Sequence, residues 1–141
     1  MAHEVLPRLP IRQWVLSFPF QLRFLLASQP EVMSEVLGIV YRAIETHLIQ
    51  QAGCIRAEAR TGAVTLIQRF GSALNLNIHF HILLLDGVYV IGRESLVFRP
   101  VSPPRPKVLE SLVQMISQRV GRYLEHQGWL VRDIENSYLQ A

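Results

Sequence analysis

At 141 residues the chain is long enough for one domain with a buried core, and 50% hydrophobic against 18% charged residues excludes a disordered polymer. Of 14 basic residues only Lys107 is lysine, so the formal charge of +3 rests on arginine, whose planar fork suits phosphate oxygens. The single cysteine, Cys54, excludes an internal disulfide framework or thiolate zinc cluster and points to a reducing, cytoplasmic setting.

Residues 1–10 read as a polar, proline-punctuated lead-in, with no apolar run of the kind a signal peptide needs. Trp14 to Phe18 is a short strand candidate closed by Pro19, and Phe20 to Ala27 can supply one or two helical turns around Arg23. A helix is expected from Pro30, with Ser28 as a nearby cap, Glu31 in the first turn and Gly53 at its end. Met33, Leu37, Val40, Ile44 and Leu48 recur along it at helical spacing and make its buried stripe. Ala63 to Phe70 reads as a β-branched strand after a Gly62 break, and Gly71 to Asn77 as a loop of small and amide residues.

The next strand runs through Ile78, His79, Phe80, His81, Ile82, Leu83, Leu84 and Leu85. Asp86-Gly87 is a tight-turn signal into Val88 to Ile91, and Gly92 to Ser95 turns again into Leu96 to Phe98, which together suggest an antiparallel meander. Pro100 to Pro106 is a stiff connection, followed by a helix with Leu109, Leu112, Val113, Ile116, Val120 and Leu124 on its stripe, stopping near Gly128. Residues 129–141 show no period. No apolar window is long enough for a membrane span, because Pro19 and Arg23, or the histidines and Asp86, interrupt each one. The expected class is α+β, an antiparallel sheet with helices mainly on one face, in a single domain over 1–141.

Chemistry concentrates on the histidine strand. Successive strand residues point to opposite faces, so His79 and His81 share one face while Ile78, Phe80, Ile82 and Leu84 fill the other. Two imidazoles at alternate positions serve either as metal ligands or as a cross-strand hydrogen-bonding pair, and the spacing leaves both open. Gln68 on the preceding strand is the first candidate for a third ligand, although a one-residue change of register would turn it away. Asn75 and Asn77 also lie within reach, but amides in a loop more often bond backbone.

The segment RFGSALNLNIHFHILLLDGVYV, with its His79-Phe80-His81 triplet, resembles the signature of the His-hydrophobic-His (HUH) endonucleases, and more narrowly the rolling-circle insertion-sequence transposases of the two-tyrosine class. LPRLPIRQWVLSFPFQLRFLLA before it and VGRYLEHQGWLVRDIENSYL after it are similar to the same family, so the likeness spans nearly the whole chain. The resemblance implies a ferredoxin-like core, His79 and His81 as ligands of a magnesium or manganese ion, and single-stranded DNA at transposon ends as the partner. It also implies a tyrosine nucleophile that forms a 5′-phosphotyrosine link and frees a 3′-hydroxyl.

The family's paired tyrosines lie four residues apart on a helix, a spacing that Tyr41, Tyr89, Tyr123 and Tyr138 do not reproduce. Tyr123 and Tyr138 remain the two positions at which a nucleophile can be sought, with helix packing and a frayed tail as the plainer readings. The N-terminal cysteine cluster of the family is also missing, so the chain is expected to be the central part of a longer transposase. Arg69, Arg12 and Arg23 are the candidates for phosphate contacts, and Phe70 for stacking on bases. A catalytically inactive, DNA-binding remnant is the alternative, with an unrelated metal-dependent hydrolase as a third reading.

Overall fold

The computed structural model describes residues 10–70, 76–92 and 95–131. Six strands and three helices alternate as β1 (Ile11–Ser17), α1 (Phe20–Ser28), α2 (Pro30–Gln51), β2 (Ala59–Arg60), β3 (Ala63–Phe70), β4 (Leu76–Leu85), β5 (Gly87–Ile91), β6 (Leu96–Pro100) and α3 (Pro106–His126). The strands form two antiparallel sheets of three, in the orders β1-β4-β3 and β2-β5-β6, so the chain is α+β as its patterning suggests.

β4 is the middle strand of the first sheet, and its side chains alternate between half-buried and buried from Asn77 to Leu84. Ile78, Phe80, Ile82 and Leu84 are all 0% exposed, whereas His79, His81 and Leu83 on the other face are only half-buried. The strand begins earlier than its composition suggests: Leu76 and Asn77 belong to it and not to the preceding loop, while residues 71–75 lie outside the described residues. β1 likewise starts at Ile11, with Arg12, Trp14 and Leu16 facing inward.

The described residues form two compact units. One draws on residues up to Leu16, Glu45–Leu66 and Phe80–Pro103; the other on Ser17–Ile44, Ile67–His79 and the chain from Pro104. In the first unit the expected meander does not form. Asp86-Gly87 makes no hairpin between β4 and β5; the chain leaves one sheet there and enters the other. The Asp86 N–H donates to Pro10 O at 2.7 Å, and its carbonyl accepts from Val101 N–H at 2.9 Å. Its carboxylate accepts from Arg12 Nε at 3.1 Å and Arg12 Nη2 at 2.8 Å, a two-pronged pair that keeps the guanidinium still more firmly protonated. Gly87 is required by close approach and not by backbone angle: a Cβ there would meet Arg99 O and stand 2.9 Å from Pro100 Cα.

β5 and β6 then form the expected hairpin through Gly92–Ser95, with Tyr89 opposite Phe98 and their rings edge to face at 5.6 Å. The short β2, which the sequence does not announce, pairs Ala59 with Val90 and Arg60 with Tyr89. It is anchored by the end of α2, where Glu45 bonds both Arg56 and the Thr61 hydroxyl.

The second unit holds α1, α3 and much of α2, with the end of β3 and the start of β4. α2 starts at Pro30 as expected, but Ser28 does not cap it; that hydroxyl donates back to Leu25 O at the end of α1, and Gln29 O accepts the first α2 bond from Met33 N–H at 3.0 Å. Val32, Met33, Val36 and Val40 of α2 and Leu112, Ile116, Val120 and Leu124 of α3 are buried, each set at helical spacing. Leu109 and Val113, assigned to the same α3 stripe from sequence, are 38% and 48% exposed. Gly53 and Gly128 follow α2 and α3 with φ of 74° and 80°, the left-handed conformation that glycine adopts at little cost. Among the described residues no helix is long and apolar enough to cross a membrane.

Two stability predictions follow from the first unit. Gly87→Ala must push β6 backbone aside, and a loss of about 1–3 kcal/mol is expected in urea unfolding. His47 on α2 packs edge-on against Trp14 at 6.2 Å, and its buried Nε2 has no hydrogen-bond partner among the described residues. Burial lowers its pKa below the ordinary 6.5, so below that pH the unfolded chain takes up more protons than the folded one. Stability is therefore expected to fall as pH drops from 6.5 toward the depressed folded pKa, with a smaller fall in His47→Gln across the same titration.

Candidate metal and nucleic-acid site

The fully buried face of β4 fixes which way the histidines point. Because Ile78, Phe80, Ile82 and Leu84 are committed to the interior, His79 and His81 must project from the more open side of the strand. His79 Nδ1 lies 2.8 Å from the Oγ of Ser17, the last residue of β1, in the strand order next to β4. When Nδ1 carries the proton and donates to Ser17 Oγ, the ring is oriented by a hydrogen bond of the kind that commonly orients ligating imidazoles. Ser17 was not legible as a site residue; it lies 62 positions from His79, and only sheet pairing brings them together.

Among the described residues no group of three or more His, Cys, Asp and Glu could hold a metal ion. Among the described residues, the neighbours that could join a cation on the histidine pair are neutral amides. Gln68 is exposed on β3, which neighbours β4. Asn77 precedes His79 on the same face of β4, and its Oδ1 is buried with no hydrogen-bond partner among the described residues. The strand location makes Asn77 a stronger neighbour of the histidines than a loop amide would be.

The three arginines differ in what they have left to offer. Arg69 is exposed on β3. Arg12 is held by both oxygens of Asp86, so a phosphate would have to compete with a carboxylate for it. Arg23 Nε donates to Phe18 O at 3.3 Å, and its guanidinium carbon sits 5.9 Å from the centre of the Phe20 ring.

Tyr123 lies on α3 beside an open groove of about 640 Å³ lined by Pro30, Glu31, Ser34, Glu35 and Gln127. Loss of solvent and the charges of Glu35 and Glu31 raise its pKa above the ordinary 10.0. A nucleophilic phenol needs the opposite, a stabilised phenolate, so these surroundings work against Tyr123 as the attacking group. Tyr138, Asn75 and the Phe70 side chain lie outside the described residues.

Residues 62–141 match the model of the family described as "Putative transposase" (Y2_Tnp), a span that holds β3, β4, both histidines, β5, β6 and α3. No curated protein and no solved structure gives a significant match. More than half of the chain is covered by that family model, and the chain belongs to this transposase family.

Proposed function

We propose that the chain carries the cation-holding part of a single-stranded DNA nicking and strand-transfer site of the His-hydrophobic-His type, with His79 and His81 as the protein ligands. The observation that carries this reading is the Ser17–His79 contact of 2.8 Å, which can orient one imidazole of a pair on the open face of a central strand. A magnesium or manganese ion bound there would supply positive charge to the scissile phosphate. The chain's own groups do the rest: Ser17 fixes the His79 ring, Asn77 and Gln68 offer neutral amides, and Arg69 offers a fork for a flanking phosphate.

In the reaction proposed, a tyrosine oxygen attacks phosphorus and its proton passes to a base. The bond to the 3′-oxygen breaks, leaving a 5′-phosphotyrosine and a 3′-hydroxyl after proton uptake. Tyr123 is poorly placed for that role because Glu31 and Glu35 oppose its ionisation. In a second reading this chain binds single-stranded DNA without cutting it.

The test is incubation of the chain with end-labelled single-stranded DNA and magnesium or manganese, followed by denaturing gels for a covalent protein–DNA band. Such a band, lost in His79→Ala and His81→Ala, means that this chain supplies the attacking tyrosine as well as the ligands; DNA binding with neither a band nor manganese binding favours the second reading. Calorimetric titration with manganese separates the ligands from the nucleophile. Both histidine variants are expected to lose binding, and Ser17→Ala to weaken it about 10–100-fold, with Ser17→Thr close to wild type. Unchanged manganese binding in both histidine variants would sink the ligand assignment.

A further inference from the structure

α1 leaves two large aromatic rings in water: Phe20 is 77% exposed and Phe24 is 74% exposed. They stand four residues apart on a helix that gives Leu26, 1% exposed, to the interior, so the two rings share an outward face. Arg23 lies three residues from Phe20 on that face, its guanidinium over the Phe20 ring at 5.9 Å. It is the one charged residue of the helix FQLRFLLAS, which carries no carboxylate.

The start of this helix is tied to the histidine strand. Ser17, which bonds His79, is followed by buried Phe18, whose carbonyl accepts from Arg23 Nε at 3.3 Å. Phe20 comes three residues after Ser17, so the reach of the chain keeps their Cα atoms within about 11 Å.

We propose that Phe20, Phe24 and Arg23 form a stacking platform for the single-stranded DNA that approaches His79, with bases lying on the rings and the guanidinium meeting a backbone phosphate. The location rests on the nicking reading, which brings a single strand to His79; the ring chemistry is measured independently of it. A partner helix or a second copy of the chain would use the rings as apolar area alone. The cation over the Phe20 ring, the lack of any carboxylate on α1 and the tether to His79 favour a polyanion with flat bases.

The experiment is fluorescence anisotropy of a labelled oligothymidine with the whole chain in chelator, where no cleavage can occur. Phe20→Ala with Phe24→Ala is expected to weaken binding at least tenfold. Both positions changed to Leu should weaken it comparably, because Leu keeps apolar area but has no π face, and both changed to Trp should restore it. Arg23→Gln is expected to weaken binding and flatten its salt dependence. Wild-type affinity in the double Leu variant overturns the platform. So does sedimentation showing that the double Ala variant loses self-association while its affinity for oligothymidine is unchanged. The nicking reading fails separately: ring-dependent oligothymidine binding together with manganese binding unchanged in His79→Ala and His81→Ala sinks it and supports the platform.

Discussion

One constraint organises the structure: β4 buries one entire face. Four side chains in alternation, Ile78, Phe80, Ile82 and Leu84, are withdrawn completely from solvent, and each is worth about 1.5–3 kcal/mol against exposure. A slip of one residue would exchange that set for Asn77, His79, His81 and Leu83, burying an amide and two imidazoles where they would need new partners. The register is therefore held by hydrophobic burial, and the orientation of the histidines is a by-product of it. Chemistry on the open face costs the strand little stability, because the other face has already secured it.

The polar groups divide along the same logic. Where a charge has a structural partner it is spent: Arg12 on Asp86, Arg56 on Glu45, Arg99 on the Ala52 carbonyl. Asp86 shows how much one residue can join, since its N–H and carboxylate both fasten the start of β1 and its C=O fastens the residue after β6. The groups in and beside the histidine strand are neutral or solvent-facing, among them Ser17, Asn77 and Arg69. On the function proposed, phosphate would be recognised there through a bound cation and directed hydrogen bonds more than through a dense field of positive charge.

What could be read from sequence follows from which interactions are local. The alternation in β4, the start of α2 at Pro30 and of β3 after Gly62, and the glycines that end α2 and α3 depend on near neighbours, and they were legible. Asp86-Gly87 was misread because the dipeptide that commonly closes a hairpin here serves a different need. The glycine makes room for β6 backbone, and the aspartate ties down a change of sheet. Ser17 and β2 were invisible for a related reason: each acquires its meaning from a strand far away in the chain. The Ser28 cap failed because α1 runs through that residue and takes its hydroxyl.

The order of strands also separates two things that are easily equated, the stretch that defines a family and the stretch that completes its fold. The transposase match begins at residue 62, downstream of both β1 and β2. Yet β1 flanks the histidine strand and β2 borders β5, so the matched span by itself would leave one side of each sheet open. The strand and the hydroxyl that stand beside His79 therefore come from a part of the chain that the family model does not span.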